Sequence, residues 1–202
     1  MKQISFLFFS VFITSILSGQ DEYESALIPM KDGAVFAFTS DKKSFTLDIL
    51  SNKIQPLEQK NFVMIDDWIF QAFVLGFDNP KNVDLTTEEE QKRSLSQYVK
   101  YEVDYYKNEV GYSCDSLKFE WGKINEKYFY FWYFNTPPEL ETLQKQMFLT
   151  TICHDQFLNM NIPLEKTKDF NKGKDFLVGI AKTLKLYDNP INFKKLNKEL
   201  NK

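Results

Sequence analysis

The stretch KYFYFWYFN (Lys127–Asn135) contains seven consecutive aromatic residues and decides how the chain must fold. In an extended strand successive side chains point to opposite faces, so Tyr130 and Trp132 share one face while Phe129 and Phe131 share the other. A strand that is apolar on both faces is typical of a sheet covered on both sides. The run therefore predicts a core strand. The alternative is a partly exposed wall that binds a ligand through its tyrosine and tryptophan side chains.

The segments on either side of this run predict an antiparallel meander. LKFEWGKI (117–124) alternates apolar and polar residues, and the pair Asn125-Glu126 predicts a two-residue turn into the aromatic run. After the run come QMFLTTIC (146–153) and FLNMNIPL (157–164), with His154-Asp155 between them. The first three of these four segments are interpreted as a simple meander.

Four earlier segments predict further strands: AVFAFTS (34–40), SFTLDIL (44–50), FVMI (62–65) and WIFQAFVLGF (68–77). A long helix should begin at Thr86-Thr87, because each threonine has a glutamate three residues later, as in a capping box, and Gly111 should end it. A second amphipathic helix is expected over 173–186. Together these elements predict an α+β fold, an antiparallel sheet flanked by helices in an α/β/α sandwich-like arrangement, formed by a single domain over 21–187.

Residues 1–20 have the pattern of a cleavable secretory signal, which is not part of the fold. Lys2 precedes a mostly apolar run over 4–17, and the small residue Gly19 follows. We expect cleavage near Gln20 and a secreted or periplasmic protein without stable membrane insertion after cleavage. Gln20 stands where bacterial lipoproteins have their lipid-bearing cysteine, so a lipoprotein is not expected.

Charge is distributed unevenly along the chain, which has a net charge of −3. Residues 21–164 carry 14 basic and 23 acidic residues, whereas residues 165–202 carry 10 lysines and 5 acidic residues. The basic end could guide a partner or could simply be a solvated helix face. The C-terminal tail, 188–202, is interpreted as a short docking helix on the helical spacing of its apolar residues: Phe193, Leu196 and Leu200.

The sequence contains no constellation that indicates catalysis, a cofactor or a metal. Arg93 is the only arginine, and because phosphate and guanine recognition depends on the arginine fork, nucleic-acid binding is not expected. His154 is the only histidine, and its neighbour Cys153 would face the opposite side of a strand. We interpret His154 and the pair Asp66-Asp67 as turn residues. No phosphate loop or nucleophile elbow occurs, so we predict a protein that is not an enzyme.

Cys114 and Cys153 are the only cysteines, and their state is open. Export to an oxidising compartment favours a disulfide between them. In a simple meander, however, Cys114 precedes the first strand and Cys153 ends the third, which runs parallel to the first. That arrangement places the thiols at opposite ends of the sheet, beyond the reach of a disulfide.

The three tryptophans, Trp68, Trp121 and Trp132, all lie on predicted strands, and we interpret them as core residues. An alternative is that Trp121, Tyr130 and Trp132 form a ligand wall that lines a cavity between the sheet and a helix.

The order of elements resembles the fold shared by the photosystem extrinsic protein PsbP and the Ran-binding protein Mog1. The resemblance lies in the apolar spacing of SFTLDIL, QMFLTTICHDQFLNMNIPL and KDFLVGIAKTLKLY, and covers about residues 34–187. It implies a non-catalytic accessory protein that binds a larger partner protein in the envelope or the extracellular space. The alternative function is a small-ligand carrier with the aromatic cavity described above.

Overall fold

The computed structural model describes residues 23–59, 61–76 and 85–202, so the predicted signal lies outside the described residues. The strands in these ranges are, in chain order, β1 (Glu24–Met30), β2 (Gly33–Thr39), β3 (Ser44–Ile49), β4 (Ile54–Pro56), β5 (Phe62–Ile65), β6 (Trp68–Gly76), β7 (Lys118–Ile124), β8 (Lys127–Asn135), β9 (Leu143–Cys153), β10 (Gln156–Glu165) and β11 (Lys185–Tyr187). The helices are α1 (Glu88–Tyr105), α2 (Phe170–Ala181) and α3 (Phe193–Leu200).

The strands form two antiparallel sheets. The larger sheet has the order β4-β5-β6-β10-β9-β8-β7, and the smaller sheet has the order β1-β2-β3-β11. Neighbouring strands of the meander pair in sequence order, with Trp121 opposite Tyr130 and Tyr130 opposite Thr150. The α+β class predicted from the sequence is confirmed, but the division of the strands into two sheets was not foreseen.

The larger sheet is covered on both faces, as the aromatic run requires. On one face α1 packs over a cluster that includes Tyr130, Trp132 and Phe134. On the other face α2 and the smaller sheet pack over a cluster that includes Phe129 and Phe131. β8 is therefore a core strand with the alternation of faces that the sequence predicts.

Short turns connect the hairpins where the sequence predicts them. Asn125 and Glu126 both have positive φ, 47° and 65°, which is the geometry of a type I′ turn. His154, with φ of 57°, and Asp155 form the two-residue connection between β9 and β10. Asp66-Asp67 similarly connects β5 to β6.

Helix α1 begins where the sequence predicts, and the helical region as a whole ends at the predicted Gly111, although α1 itself ends at Tyr105. Of the two overlapping capping boxes, the structure uses the second: Thr87 is the N-cap, and its hydroxyl accepts a hydrogen bond of 3.3 Å from the backbone N–H of Glu90. At the other end α1 continues into a π-helical turn over Tyr106–Val110, which ends at the left-handed Gly111.

The predicted second helix, 173–186, is wrong at both ends. Asp169 caps α2, which begins at Phe170, and the helix ends at Ala181. Beyond it the hydroxyl of Thr183 accepts a hydrogen bond from the backbone N–H of Asp48 at 2.8 Å. This contact directs the chain along β3, where Lys185–Tyr187 pairs as β11. Strands β1 and β4 were not predicted, and Phe77, the last residue of the predicted 68–77 strand, lies outside the described residues.

The C-terminal tail contains α3, which packs on the outer face of the smaller sheet. The apolar side of α3 packs against a small cluster formed by Ile28, Val35 and Ala37. The side chains of α3 that make this contact are the three whose helical spacing was noted in the sequence: Phe193, Leu196 and Leu200. In addition, Asn201 donates a 2.9 Å hydrogen bond to the backbone oxygen of Pro29. No helix among the described residues has the length and apolar character needed to cross a bilayer.

Gly33, at the start of β2, provides a test of how closely the smaller sheet is packed. Its φ is +154°, and a Cβ there would lie 2.0 Å from the backbone oxygen of Ile49. We expect Gly33→Ala to lower the free energy of unfolding by about 2–3 kcal/mol. Gly179→Ala, at an α2 position where a Cβ meets nothing within 4 Å, should instead raise it by up to about 1 kcal/mol. Urea denaturation measures the free energy of unfolding of both variants. Equal stability of the two variants would contradict the close approach of Gly33 to the backbone of Ile49.

Candidate functional site

The outermost strand of the larger sheet, β7, is exposed along most of its length and carries two exposed aromatic side chains, and we call Lys118–Ile124 the β7 edge. Six of its seven residues are exposed. Phe119 is 58% exposed and Trp121 is 36% exposed. β7 pairs with β8 on one side, and none of the described strands pairs with its other side. The β7 edge therefore offers backbone hydrogen-bonding groups together with apolar side chains.

The aromatic side chains of the β7 edge are held by the core beside them. Trp121 stacks on Tyr130 with ring centroids 4.0 Å apart and planes 11° apart. Phe119 contacts the same tyrosine ring at 5.5 Å. Because Tyr130 is itself buried, the two exposed rings are supported from below rather than freely rotating. Rings ordered before binding lose less conformational entropy when a partner covers them.

Charged side chains surround these rings. Lys92 of α1 places its ammonium 5.7 Å from the Trp121 ring centroid and 2.6 Å from the Glu88 carboxylate. Tyr128 donates a hydrogen bond to the same carboxylate. The hydrogen bonds from Lys92 and Tyr128 lower the pKa of Glu88. This side of the β7 edge thus combines an apolar centre with a fixed polar rim.

The opposite face of β7 is tethered to α2. Lys174 forms an ion pair with Glu120 and places its ammonium 5.2 Å from the centroid of the Phe131 ring. The only other charged side chains of the β7 edge are Lys118 and Lys123, and Lys123 pairs with Glu126 at 2.7 Å. The edge strand is therefore fixed to the domain through its side chains on both faces.

The three predicted ligand-wall residues share the α1 face of the larger sheet but differ in exposure. Trp132 is 0% exposed, stacks on Phe148 at 3.8 Å and donates a 3.1 Å hydrogen bond to Thr150. Tyr130 is buried beneath Trp121. The core interpretation is thus correct for Trp132 and wrong for Trp121, which lies on the edge strand. Trp68 is partly buried and stacks on Phe176 at 5.5 Å.

The described depressions lie away from these rings, at the seam where the two sheets meet. Their volumes are about 280 and 170 Å³. The larger is lined by Leu27, Met30, Ile54 and Pro56 among others, and the smaller also borders Leu27. They are shallow, and neither contains a cluster of charged groups.

The cysteines are free and buried on opposite faces of the larger sheet, which decides between the two states left open by the sequence. Cys114 belongs to the cluster beneath α1, whereas Cys153 belongs to the cluster beneath α2. Lys118 at the start of β7 pairs with Tyr133 of β8, which in turn pairs with Met147 of β9. Cys153 lies six residues beyond Met147 on β9, which is about 20 Å along the strand. A disulfide between Cys114 and Cys153 is excluded by this geometry. Burial raises the pKa of Cys114 to about 11 and that of Cys153 to about 12.

His154 and the aspartates of the hairpin turns do not converge on a site. Nε2 of His154 lies 3.2 Å from the backbone oxygen of Ser44, and Asp66 accepts a 2.9 Å hydrogen bond from Ser51. In the ranges that the structure describes, no group of three or more histidine, cysteine, aspartate or glutamate side chains could hold a metal ion.

A buried carboxyl beneath α1 was missed by the sequence reasoning. Glu102 is 8% exposed and hydrogen-bonded to Tyr98, whose hydroxyl accepts a 2.8 Å hydrogen bond from Asn159. Burial raises the pKa of Glu102 to about 7, and the hydrogen bond to Tyr98 only partly opposes this effect. Burial likewise raises the pKa of the nearby Tyr106. Glu102 lies four residues after Tyr98 on the apolar side of α1, and this spacing was the available signal.

The comparisons with known proteins concern the fold. No protein-family model and no curated protein matches the sequence. The structure is similar to the solution structure of cyanobacterial PsbP (CyanoP) from Synechocystis, at 10% sequence identity and a TM-score of 0.41. The match covers 84% of this chain and 95% of that chain. This likeness identifies neither a family nor a site or activity.

Glu102 makes the stability of the domain depend on pH. Because its pKa is raised from 4.5 to about 7 in the folded state, folding retains a proton that the unfolded chain releases. Stability should therefore fall as pH rises from about 4.5 to above 7, by up to about 3 kcal/mol. Glu102→Gln keeps the shape and removes the charge, so it should flatten this part of the profile. Urea denaturation at pH 5 and pH 8 tests this, and an equal pH effect in both proteins would contradict the assignment.

Proposed function

We propose that this chain is an exported, non-catalytic accessory protein that binds a partner protein through the β7 edge. The observation that carries the proposal is an exposed edge strand of seven residues that presents two supported aromatic rings. Exposed apolar side chains beside unpaired strand groups are typical of sites where another polypeptide adds a strand.

The binding mode follows from the geometry of the edge. A partner segment in extended form would form main-chain hydrogen bonds with β7, and these supply sequence-independent affinity. Phe119 and Trp121 would then pack against alternate side chains of the partner. Large aromatic residues at the centre of an interface commonly contribute most of its binding energy. Specificity would come from this face, since the opposite face is occupied by the ion pair between Glu120 and Lys174.

The other described sheet edges are less suited to this role. β4 has only three residues and includes Pro56, and β11 also has only three residues. β1 is longer but includes Pro29, and α3 packs beside it. Short strands, prolines and covering helices are common protections against strand addition. β7 has none of these features.

We infer export from the signal pattern of residues 1–20, which is typical of a periplasmic or secreted protein. In that setting the lysines of α3 would be available for steering a partner, because the apolar side of α3 is used by the smaller sheet. Lys194 and Lys198 lie on the exposed part of the helix. Such charges would affect the rate of association more than the final affinity.

Photo-crosslinking in the native host tests the proposal directly. Phe119 is replaced by photoreactive benzoyl-phenylalanine, and Tyr101, an equally exposed aromatic residue on α1, is replaced in the same way as the matched control. We expect irradiation to join position 119, but not position 101, to a different protein, which mass spectrometry then identifies. The proposal is wrong if position 119 gives no adduct with another protein, or if both positions give the same adducts.

A further inference from the structure

The sequence of the β7 edge is suited to pairing with itself. We propose that a second copy of this chain adds its own β7 antiparallel to the first, so that the two larger sheets become continuous across a two-fold axis at Trp121. This inference rests on the proposed function of the β7 edge as an interaction surface and names one occupant of it.

The charges and the length of β7 select the register. When two copies are related by an axis perpendicular to the sheet, residues on the same face oppose each other, so the axis must pass through one residue position. An axis at Glu120 would place two glutamates opposite each other, which is unfavourable. An axis at Phe119 would carry the pairing past Lys118 into the turn at Cys114, where φ is +51°. An axis at Gly122 would carry the pairing past Ile124 into the turn at Asn125 and Glu126, whose φ angles are 47° and 65°. An axis at Trp121 instead lets all seven residues of β7 pair.

In this register the side chains on the α1 face complement each other. Trp121 lies opposite Trp121 of the second copy, and each of these rings is already stacked on Tyr130. Phe119 lies opposite Lys123 of the second copy, whose ammonium pairs with Glu126 at 2.7 Å within its own chain and can contact the ring of Phe119 as well. On the other face Glu120 lies opposite Gly122 of the second copy, so no side chain crowds its ion pair with Lys174.

The symmetry limits the assembly to two copies. A two-fold pair uses the β7 edge of both partners, and the remaining described edges carry the protections noted above, so growth into a fibre is not expected. One added strand is a small interface, and small interfaces are typical of weak, reversible complexes. The dimer should therefore form and dissociate with concentration.

Sedimentation velocity over a concentration series tests the pairing on the protein purified from its host. We expect the wild type to shift from monomer toward dimer as concentration rises. Phe119→Lys places a lysine opposite Lys123 of the second copy, twice per dimer, and should weaken dimerisation roughly tenfold or more. Phe119→Glu also removes the ring but forms an attractive pair with Lys123, so it should keep the dimer within roughly a few-fold of the wild type. Tyr101→Lys is the control for an added surface lysine and should behave as the wild type.

Charge exchange across the axis makes the test specific for the register. The double variant Phe119→Lys with Lys123→Glu restores an opposite-charge pair and should recover the dimer that Phe119→Lys loses. A wild type that remains monomeric at every concentration overturns the proposal, as does a dimer that Phe119→Lys and Phe119→Glu affect equally. The two proposals can be told apart. If the dimer shows this pattern but position 119 gives no photo-crosslinked adduct with another protein, the self-pairing of β7 is supported and the binding of a different partner protein is contradicted.

Discussion

The aromatic strand β8 is the constraint on which the rest of the structure depends. Its side chains are apolar on both faces, so each face must be covered, and the chain does this with α1 on one side and with α2 and the smaller sheet on the other. Its backbone must also be paired on both edges, because buried N–H and C=O groups without partners are costly. β9 supplies one partner and β7 the other. The layers, the meander and the position of the helices all follow from these requirements.

The need to pair β8 also explains why the molecule has an exposed aromatic edge. An open sheet always ends somewhere, and here the strand that completes β8 becomes the edge itself. Its rings are supported by Tyr130, and its charges are tied to Glu126 and Lys174. A strand held in this way keeps its shape without a partner and is ready to accept one. The stability of the core and the proposed binding function therefore have the same physical origin.

Much of the fold was predictable because it is encoded by local patterns. The two apolar faces of β8, the two-residue turn at Asn125 and the cap at Thr87 were all evident from the sequence. Long-range effects were not. The contact of Thr183 with β3, which ends the helical region early, depends on residues distant in the chain. The alternation of apolar and polar residues in 117–124 predicted that one face of β7 is buried. Whether that face is covered by other parts of the chain depends on the position of β7 in the sheet, and β7 is the edge strand. The exposed position of Trp121 could therefore not be predicted, and neither could the environment of Glu102.

Residue-resolved hydrogen exchange, followed by NMR at low and high protein concentration, tests the central claim that the outer backbone groups of β7 are open and take a strand. The amides of β8 should exchange slowly at both concentrations, since both neighbouring strands cover it. In dilute protein every second amide of the β7 edge, those that point away from β8, should exchange quickly, and these amides should become protected as concentration rises. Outward amides that are already protected in dilute protein, or that exchange equally fast at every concentration, would contradict the account.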